Sequence, residues 1–320
     1  MELSIICVNW NSEDYLRECL RSIYETTHDV SFETIIVDNA SPVGDVSRLQ
    51  QQFPRIKLIK SAQNLGFAGA NNLGFKHSTG TYVLFLNPDT KLIGPAIQTL
   101  LRHIEALPDA GVVGGKLLNS DLTVQLSSIQ KFPTILNQAL DAEYLRLRWP
   151  RCPLWEIAPL FADDVELLKV SVIPGACMLL RRAVFERAGM FTEDYFMYAE
   201  DIDLNYKVSR LGLSNYYVGQ ATVIHHGGKS SGQQTINHWA TVMKFRAMRM
   251  FYGRTRGRFY AEMYRAAMGC AALARLTVLL LLLPFASILR KREKIVVASA
   301  KWGAVLRWAA GLDLCTRERQ

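Results

Sequence analysis

"TYVLFLNPDT", residues 81–90, is the stretch on which the fold turns. Residues Tyr82 to Leu86 are apolar without a break, and the run then stops at Asn87-Pro88-Asp89. A continuous apolar run of this length reads as a strand buried on both faces of a parallel sheet. Such a strand delivers the residues that follow it to the rim of the sheet, where ligands of open α/β folds bind. Asp89 is therefore expected at a rim, either as a simple turn-former or as a ligand for something bound there.

The same grammar extends outward on both sides. "LSIICVN" (3–9), "FETIIVDNAS" (32–41), "IKLIK" (56–60) and "AGVVGGKLL" (110–118) read as further strands. Between them lie amphipathic or Gly-broken helical stretches at 12–27, 46–53, 66–78 and 94–107, the first with Ser12 as its N-cap. This alternation predicts an α/β fold with a mostly parallel, Rossmann-like sheet flanked by helices. Residues from about 120 to 170 are less regular and are read as loops and short helices beside the site. "SVIPGACMLLRRAVFERAG" (171–189) resumes with a strand and a helix.

The 320 residues suffice for one large domain or two smaller ones. Six scattered cysteines form no C-x-x-C pair, and several sit in apolar surroundings, which reads as small core residues of a reducing compartment. The opening "MELSIICVNWN" lacks the basic and long apolar regions of a secretory signal and reads as the first strand. Charge is unevenly spread. Up to residue 248 there are 23 Lys and Arg against 25 Asp and Glu, whereas from Arg249 onward there are 14 against 4. The chain divides accordingly into a domain over 1–234, with halves of about 1–118 and 119–234, and a basic, apolar helical region over 235–320.

Four groups of residues could carry chemistry. Asp38 and Asp89 both follow strands, so two carboxylates share one rim, and hard divalent cations are commonly held by one or two carboxylates plus substrate phosphates. In "MYAEDIDL" (197–204), Glu200, Asp201 and Asp203 crowd together after an aromatic run. They suit a helix N-terminus, and equally a base with a raised pKa. In "VIHHGGKSS" (223–231), consecutive residues of an extended segment point opposite ways, so at most one of His225 and His226 faces the site. Finally, "NLGFAGANNLGF" (64–75) has glycines at 66, 69 and 74. That spacing is not the dinucleotide fingerprint and sits in the third βα unit, so a NAD enzyme is disfavoured.

In this order, "VNWN" (8–11), "VDNAS" (37–41), "NLGFAGANNLG" (64–74), "LNPDT" (86–90), "GACMLLRR" (175–182), "EDIDL" (200–204) and "HHGGKS" (225–230) resemble the motifs of an inverting family 2 glycosyltransferase with the GT-A fold. The similarity is greatest to the bacterial rhamnosyltransferase-like branch. The resemblance implies that Asp38 contacts the nucleotide base and that Asn9, Asn64, Gly66, Asn71, Asn87, Gly175 and Glu200 line the substrate pocket. It further implies that Asp201 is the general base, and that Asp89 and His225 bind Mg²⁺ or Mn²⁺ against the donor diphosphate. Asn87 departs from the Asp-x-Asp of many relatives. The implied reaction moves a sugar, L-rhamnose in that branch, from a nucleotide-diphospho-sugar to a polyprenyl-linked or other glycan acceptor in cell-surface polysaccharide synthesis. Other donors of the same class (galactofuranose, N-acetylglucosamine, glucose) stay open. So does a non-catalytic nucleotide-sugar-binding protein at a membrane surface.

The C-terminal charges flank apolar runs rather than aromatic stacking platforms, which argues for an anionic membrane surface and against nucleic acid. "LTVLLLLLPFASIL" (276–289) is 14 uncharged residues, short of the ~20 that span a bilayer. Extension back to Ala266 takes in Arg275, and Pro284 interrupts the run. The expectation is peripheral or monotopic docking at the cytoplasmic face of the inner membrane. The alternative is a helical hairpin buried on the catalytic domain.

Overall fold

A computed structural model describes residues 1–162, 165–227, 238–285 and 292–312. The chain forms two compact units. The first comprises the described residues of 1–132, 149–196 and 200–232; the second comprises those of 133–148, 197–199 and 233–320. The second unit thus takes in two stretches that sequence reading placed with the catalytic domain. The boundary near 234, much of "HHGGKSS", residues 286–289 and the first two residues of "RKREK" lie outside the described residues.

The first unit opens as read: β1 (Leu3–Asn9), α1 (Glu13–Thr26), β2 (Phe32–Asp38), α2 (Ser47–Gln52), β3 (Ile56–Lys60), α3 (Gly66–Lys76) and β4 (Tyr82–Leu86). These four strands run parallel in the order β3-β2-β1-β4. Leu3, Ile5, Ile6 and Cys7 of β1 are fully buried, as a strand covered on both faces requires. α1 turns Leu16, Cys19, Leu20 and Ile23 inward at helical spacing, while Arg17 pairs with Glu13 and Asp14 on its outer side.

Beyond β4 the sheet is mixed. β5 (Thr90–Ile93), α4 (Ala96–Ala106), β6 (Ala110–Leu118), β7 (Leu167–Val170), β8 (Cys177–Arg181), α7 (Arg182–Arg187), α8 (Glu200–Arg210) and β9 (Ser214–His225) complete the unit, after the short helices α5 (Ile135–Ala139) and α6 (Glu143–Arg148), which belong to the other unit. β8 lies antiparallel between β4 and β6, and β9 carries β5 and β7 antiparallel while pairing with β6 in parallel. Cys7, Cys19 and Cys177 are free and buried, as expected; Cys270 is exposed, and Cys315 lies outside the described residues.

The second unit is helical. α9 (His238–Arg256) and α10 (Arg258–Leu282) break at Gly257, whose φ of +88° L side chains rarely adopt, and α11 (Arg292–Ala309) packs back on both. Tyr252, Tyr264, Met268, Val305 and Trp308 form its buried centre. α10 is a single 25-residue helix, long and apolar enough to cross a membrane by length and composition. Arg275 lies within this helix, seven residues before its end. Its guanidinium lies 4.3 Å from the Trp302 ring centroid and donates to the Ala139 carbonyl at 2.7 Å. Leu273, Val278, Leu280 and Leu281 are exposed instead. Pro284 falls in the 3-10 turn directly after α10, so the α-helix ends just before it, as expected.

Candidate active site

The strand ends set the site. Asn9 and Asp38 end β1 and β2 in register. The Asn9 amide donates to Asp38 Oδ1 at 3.0 Å, and the Ser41 hydroxyl donates to the same oxygen at 2.7 Å. Asn39, which sequence reading passed over, reaches from β2 to the start of α3. Its amide donates to Asn64 Oδ1 at 2.9 Å and its oxygen accepts from the Leu65 N–H at 2.8 Å. Asn64 Oδ1 also accepts from the Gly66 N–H at 2.9 Å. The Asn71 amide donates to the Phe67 carbonyl one turn back, so this buried side chain serves α3 itself.

Gly66 is required twice over. Its φ is +70°, and a Cβ there would lie 2.2 Å from the Phe196 carbonyl oxygen. Gly66→Ala is therefore expected to cost more than about 2 kcal/mol, from left-handed strain plus a backbone clash, and to lower the melting temperature by several degrees. A thermal melt indistinguishable from wild type would contradict this.

Across the sheet, β4 hands the chain to Asn87, whose N–H donates to the Ala176 carbonyl at 3.0 Å. The Gly175 N–H, one residue earlier, donates to Asp201 Oδ2 at 3.0 Å. Asp201 Oδ1 accepts from the Ile202 N–H at 2.8 Å, so two backbone donors orient this carboxylate at the start of α8. The buried Asn205, one helical turn on, holds the assembly. It accepts from the Ile173 N–H at 3.0 Å and donates to the Ile173 and Asp201 carbonyls at 2.8 Å each. Its place four residues after Asp201 in "EDIDLN" was the signal available in the sequence. Two residues before Glu200, Tyr198 and Ala199 have φ of +70° and +64°, a turn that costs on the order of 1–3 kcal/mol per residue.

The three acids of this cluster part ways. Asp203 accepts from Thr192 at 2.7 Å and pairs with Lys207 at 3.2 Å, a structural network. Glu200 is buried, and its Oε2 has no hydrogen-bond partner among the described residues. Burial pushes its carboxyl well above the usual range, and the neighbouring Asp201 charge adds to the effect.

The two histidines also separate, as alternation demands. β5 pairs with β9 so that Thr90 faces His225. His225 Nε2 lies 3.4 Å from Asp89 Oδ1 and 3.3 Å from the Asn87 amide nitrogen. His226 instead packs on Tyr15, with Nδ1 2.8 Å from the Ser120 hydroxyl, and its N–H donates to the Asp89 carbonyl at 2.9 Å. Asp89 is nearly inaccessible, at 2% exposure, so it is no exposed turn residue. Gln125, absent from the sequence reading, contacts His225 on the ring's other side.

Asn9, Asp38, Asn87, Asp89, Gly175, Asp201 and His225 thus come together at one rim of the sheet. A 290 Å³ pocket at the β7 edge, lined by Lys169, Ser171 and Asn215 among others, contains none of them.

The profile "Glycosyl transferase family 2" matches residues 4–189. The chain belongs to glycosyltransferase family 2. It is 30% identical over 258 residues to the N-acetylglucosaminyl-diphospho-decaprenol L-rhamnosyltransferase of Mycobacterium tuberculosis, covering 76% of this chain and 81% of that one. It is 27% identical over 229 residues to the rhamnosyltransferase WbbL of Escherichia coli K12, covering 69% and 82%. The solved mannosyltransferase PcManGT of Pyrobaculum calidifontis, in complex with GDP-Man and Mn²⁺, superposes with a TM-score of 0.59 at 17% identity, over 99% of this chain and 88% of that one. The glycosyltransferase is a nucleotide-sugar-dependent enzyme of the GT-A fold, in the rhamnosyltransferase-like branch of its family.

Proposed function

We propose that this glycosyltransferase moves L-rhamnose from a nucleotide-diphospho-rhamnose to a hydroxyl of a lipid-linked glycan, with inversion at the anomeric carbon. The observation that carries the chemistry is the single rim holding Asp38, Asp89, His225 and Asp201. The sugar and the lipid-linked acceptor rest on the relative whose name specifies both, which spans three quarters of this chain.

The residues fit a divalent cation completed by substrate. Among the described residues no group of three or more His, Cys, Asp and Glu could form an all-protein cage. Magnesium and similar ions ordinarily keep only one or two protein ligands beside substrate phosphates. Neighbouring donors around an ion with bonds of about 2.1 Å stand roughly 3 Å apart, and Asp89 Oδ1 and His225 Nε2 are 3.4 Å apart. Asp89 and His225 would hold Mg²⁺ or Mn²⁺, which when bound supplies charge neutralisation for the departing diphosphate.

The chain's own residues do the rest. Asp38 and Asn9, locked together at the ends of β1 and β2, receive the nucleoside. Asp201 takes the proton from the acceptor hydroxyl as its oxygen bonds to the anomeric carbon and the nucleoside diphosphate leaves from the opposite face. A single displacement inverts the centre, so a β-linked rhamnosyl donor yields an α product. Burial disfavours the charged form of Glu200, which sets it apart from Asp201 as a base. The deciding experiment is a turnover screen across nucleotide sugars with and without Mn²⁺ or Mg²⁺. Preferential consumption of a nucleotide-diphospho-rhamnose supports the proposal; preference for a galactofuranose, N-acetylglucosamine or glucose donor replaces the sugar and keeps the mechanism.

The second unit is proposed to dock the enzyme on the cytoplasmic face of the membrane. The exposed Phe259, Leu273, Val278, Leu280 and Leu281 of α10 supply the apolar surface, and cationic side chains near anionic headgroups add about 1 kcal/mol each. Arg275 is engaged within the unit by the Trp302 ring and the Ala139 carbonyl. Carbonate or high salt is expected to release the protein from membranes. Retention until detergent would mean that α10 spans the bilayer, and a wholly soluble protein would end both ideas.

A further inference from the structure

We infer that Gln125 is a positioning residue that fixes the tautomer of His225, so that Nε2, facing Asp89, is the atom presented to a divalent cation. The inference rests on the proposed metal site and concerns a residue outside it.

The hydrogen-bond pattern admits one orientation of the Gln125 amide. Its nitrogen lies 2.6 Å from the His225 backbone carbonyl. A carbonyl can only accept, so the NH₂ must be on that side. Gln125 Oε1 is then the atom 3.0 Å from His225 Nδ1. An amide oxygen can only accept, so Nδ1 carries the ring proton and, in the neutral ring, Nε2 is bare. One side chain therefore grips both the backbone and the ring of the same histidine.

This unprotonated nitrogen lies 3.4 Å from Asp89 Oδ1 and 3.3 Å from the Asn87 amide nitrogen, which donates to it. Nε2 and Asp89 Oδ1 both carry lone pairs, so a cation taken up by the two would replace the Asn87 contact with two ligand bonds. Histidine ligands are typically oriented by such a partner on the second ring nitrogen, which fixes the tautomer and raises ligand basicity.

Gln125 is itself anchored by backbone. Its N–H donates to the Leu117 carbonyl at 2.9 Å at the end of β6, and its carbonyl accepts from the Ser128 N–H at 3.0 Å and hydroxyl at 2.7 Å. The Leu118–Val124 bridge closes the intervening loop. The side chain therefore projects from a pinned hairpin, and its hold on His225 does not depend on donor or cation being bound.

Two measurements on the full-length enzyme test this. In the first, Mn²⁺ binding is titrated in saturating uridine or thymidine diphosphate, whichever wild type binds, with free Mn²⁺ read by electron paramagnetic resonance. Gln125→Ala is expected to weaken Mn²⁺ about 10- to 100-fold, with metal-free nucleotide binding and melting temperature near wild type. Gln125→Glu, whose carboxylate still accepts from Nδ1–H but sets its other oxygen against the His225 carbonyl, is expected to recover part of the loss. Wild-type Mn²⁺ affinity in Gln125→Ala, alongside a loss in His225→Ala, would overturn the inference while leaving the metal site standing. In the second, long-range ¹H–¹⁵N spectra of metal-free protein, assigned with His225→Ala, report the tautomer directly. Nδ1 protonation in wild type, giving way to a mixture in Gln125→Ala, is expected. An Nε2-protonated wild type overturns the inference whatever becomes of the metal. If the tautomer is as stated but wild type binds no Mn²⁺, the metal reading has failed and the role assigned to Gln125 falls with it.

Discussion

Asp201→Asn is expected to lower turnover by about 10²- to 10⁴-fold, the usual cost of losing a positioned base, while nucleoside diphosphate binding stays near wild type. The asymmetry follows from where the side chain sits. Asp201 is held by the N–H groups of Gly175 and Ile202, at the start of α8. Asp38 and Asn9, proposed to receive the nucleoside, are locked to each other on other strands of the sheet. An amide of the same shape retains one acceptor oxygen, so the 173–175 loop stays anchored, helped by Asn205. What it loses is basicity. Glu200 supplies the internal contrast. Burial disfavours its charged form, so Glu200→Gln, neutral and of the same shape, is expected to cost less than about tenfold. Pre-steady-state turnover at saturating substrates, with calorimetric binding of the nucleoside diphosphate, reads both variants. Asp201→Asn retaining more than a tenth of wild-type turnover, or Glu200→Gln proving the more damaging, would falsify the assignment of the base.

How far such a site can be read from sequence depends on which forces build each part. The first four strands are legible because burial on both faces writes continuous apolar runs such as "YVLFL" and "SIIC". Their polar endings, at Asn9, Asp38 and Asn87, follow at once. β5 and β7 are four residues each, too short for a period to emerge, and they went unread. β5 matters most among these, because its pairing with β9 carries His225 to Asp89. A lone Gln in "SDLTVQ" has no signature at all; Gln125 matters only because a hairpin at the end of β6 returns it to β9. Asn71 illustrates the converse. A polar residue in a Gly-rich stretch invites a ligand reading, yet its amide is taken by the helix that contains it. The continuity of α10 through Arg275 was hard to read for a related reason. Arg275 looks like an interruption until Trp302 and the Ala139 carbonyl, distant in sequence, are seen to engage it.

Asp89→Ala and His225→Ala are each expected to reduce Mn²⁺-dependent binding of a nucleoside diphosphate by at least about 10²-fold, since loss of an outer-shell partner alone costs 10- to 100-fold. The double variant is expected to be little worse than either single one. Two ligands of one ion are coupled, and once the first is gone the second has nothing left to hold, so the coupling energy should lie at the upper end of about 0.5–3 kcal/mol. The fold should tolerate both truncations. β5 and β9 are joined through backbone pairing, and the Asp89 carbonyl rather than its carboxylate accepts the His226 N–H. Calorimetric titration of the four proteins, with and without Mn²⁺, separates the possibilities. Nucleotide affinity that ignores Mn²⁺ in wild type would leave Asn87-Pro88-Asp89 a buried turn. Strictly additive losses would mean that the two residues act on the nucleotide separately, with no shared ion between them.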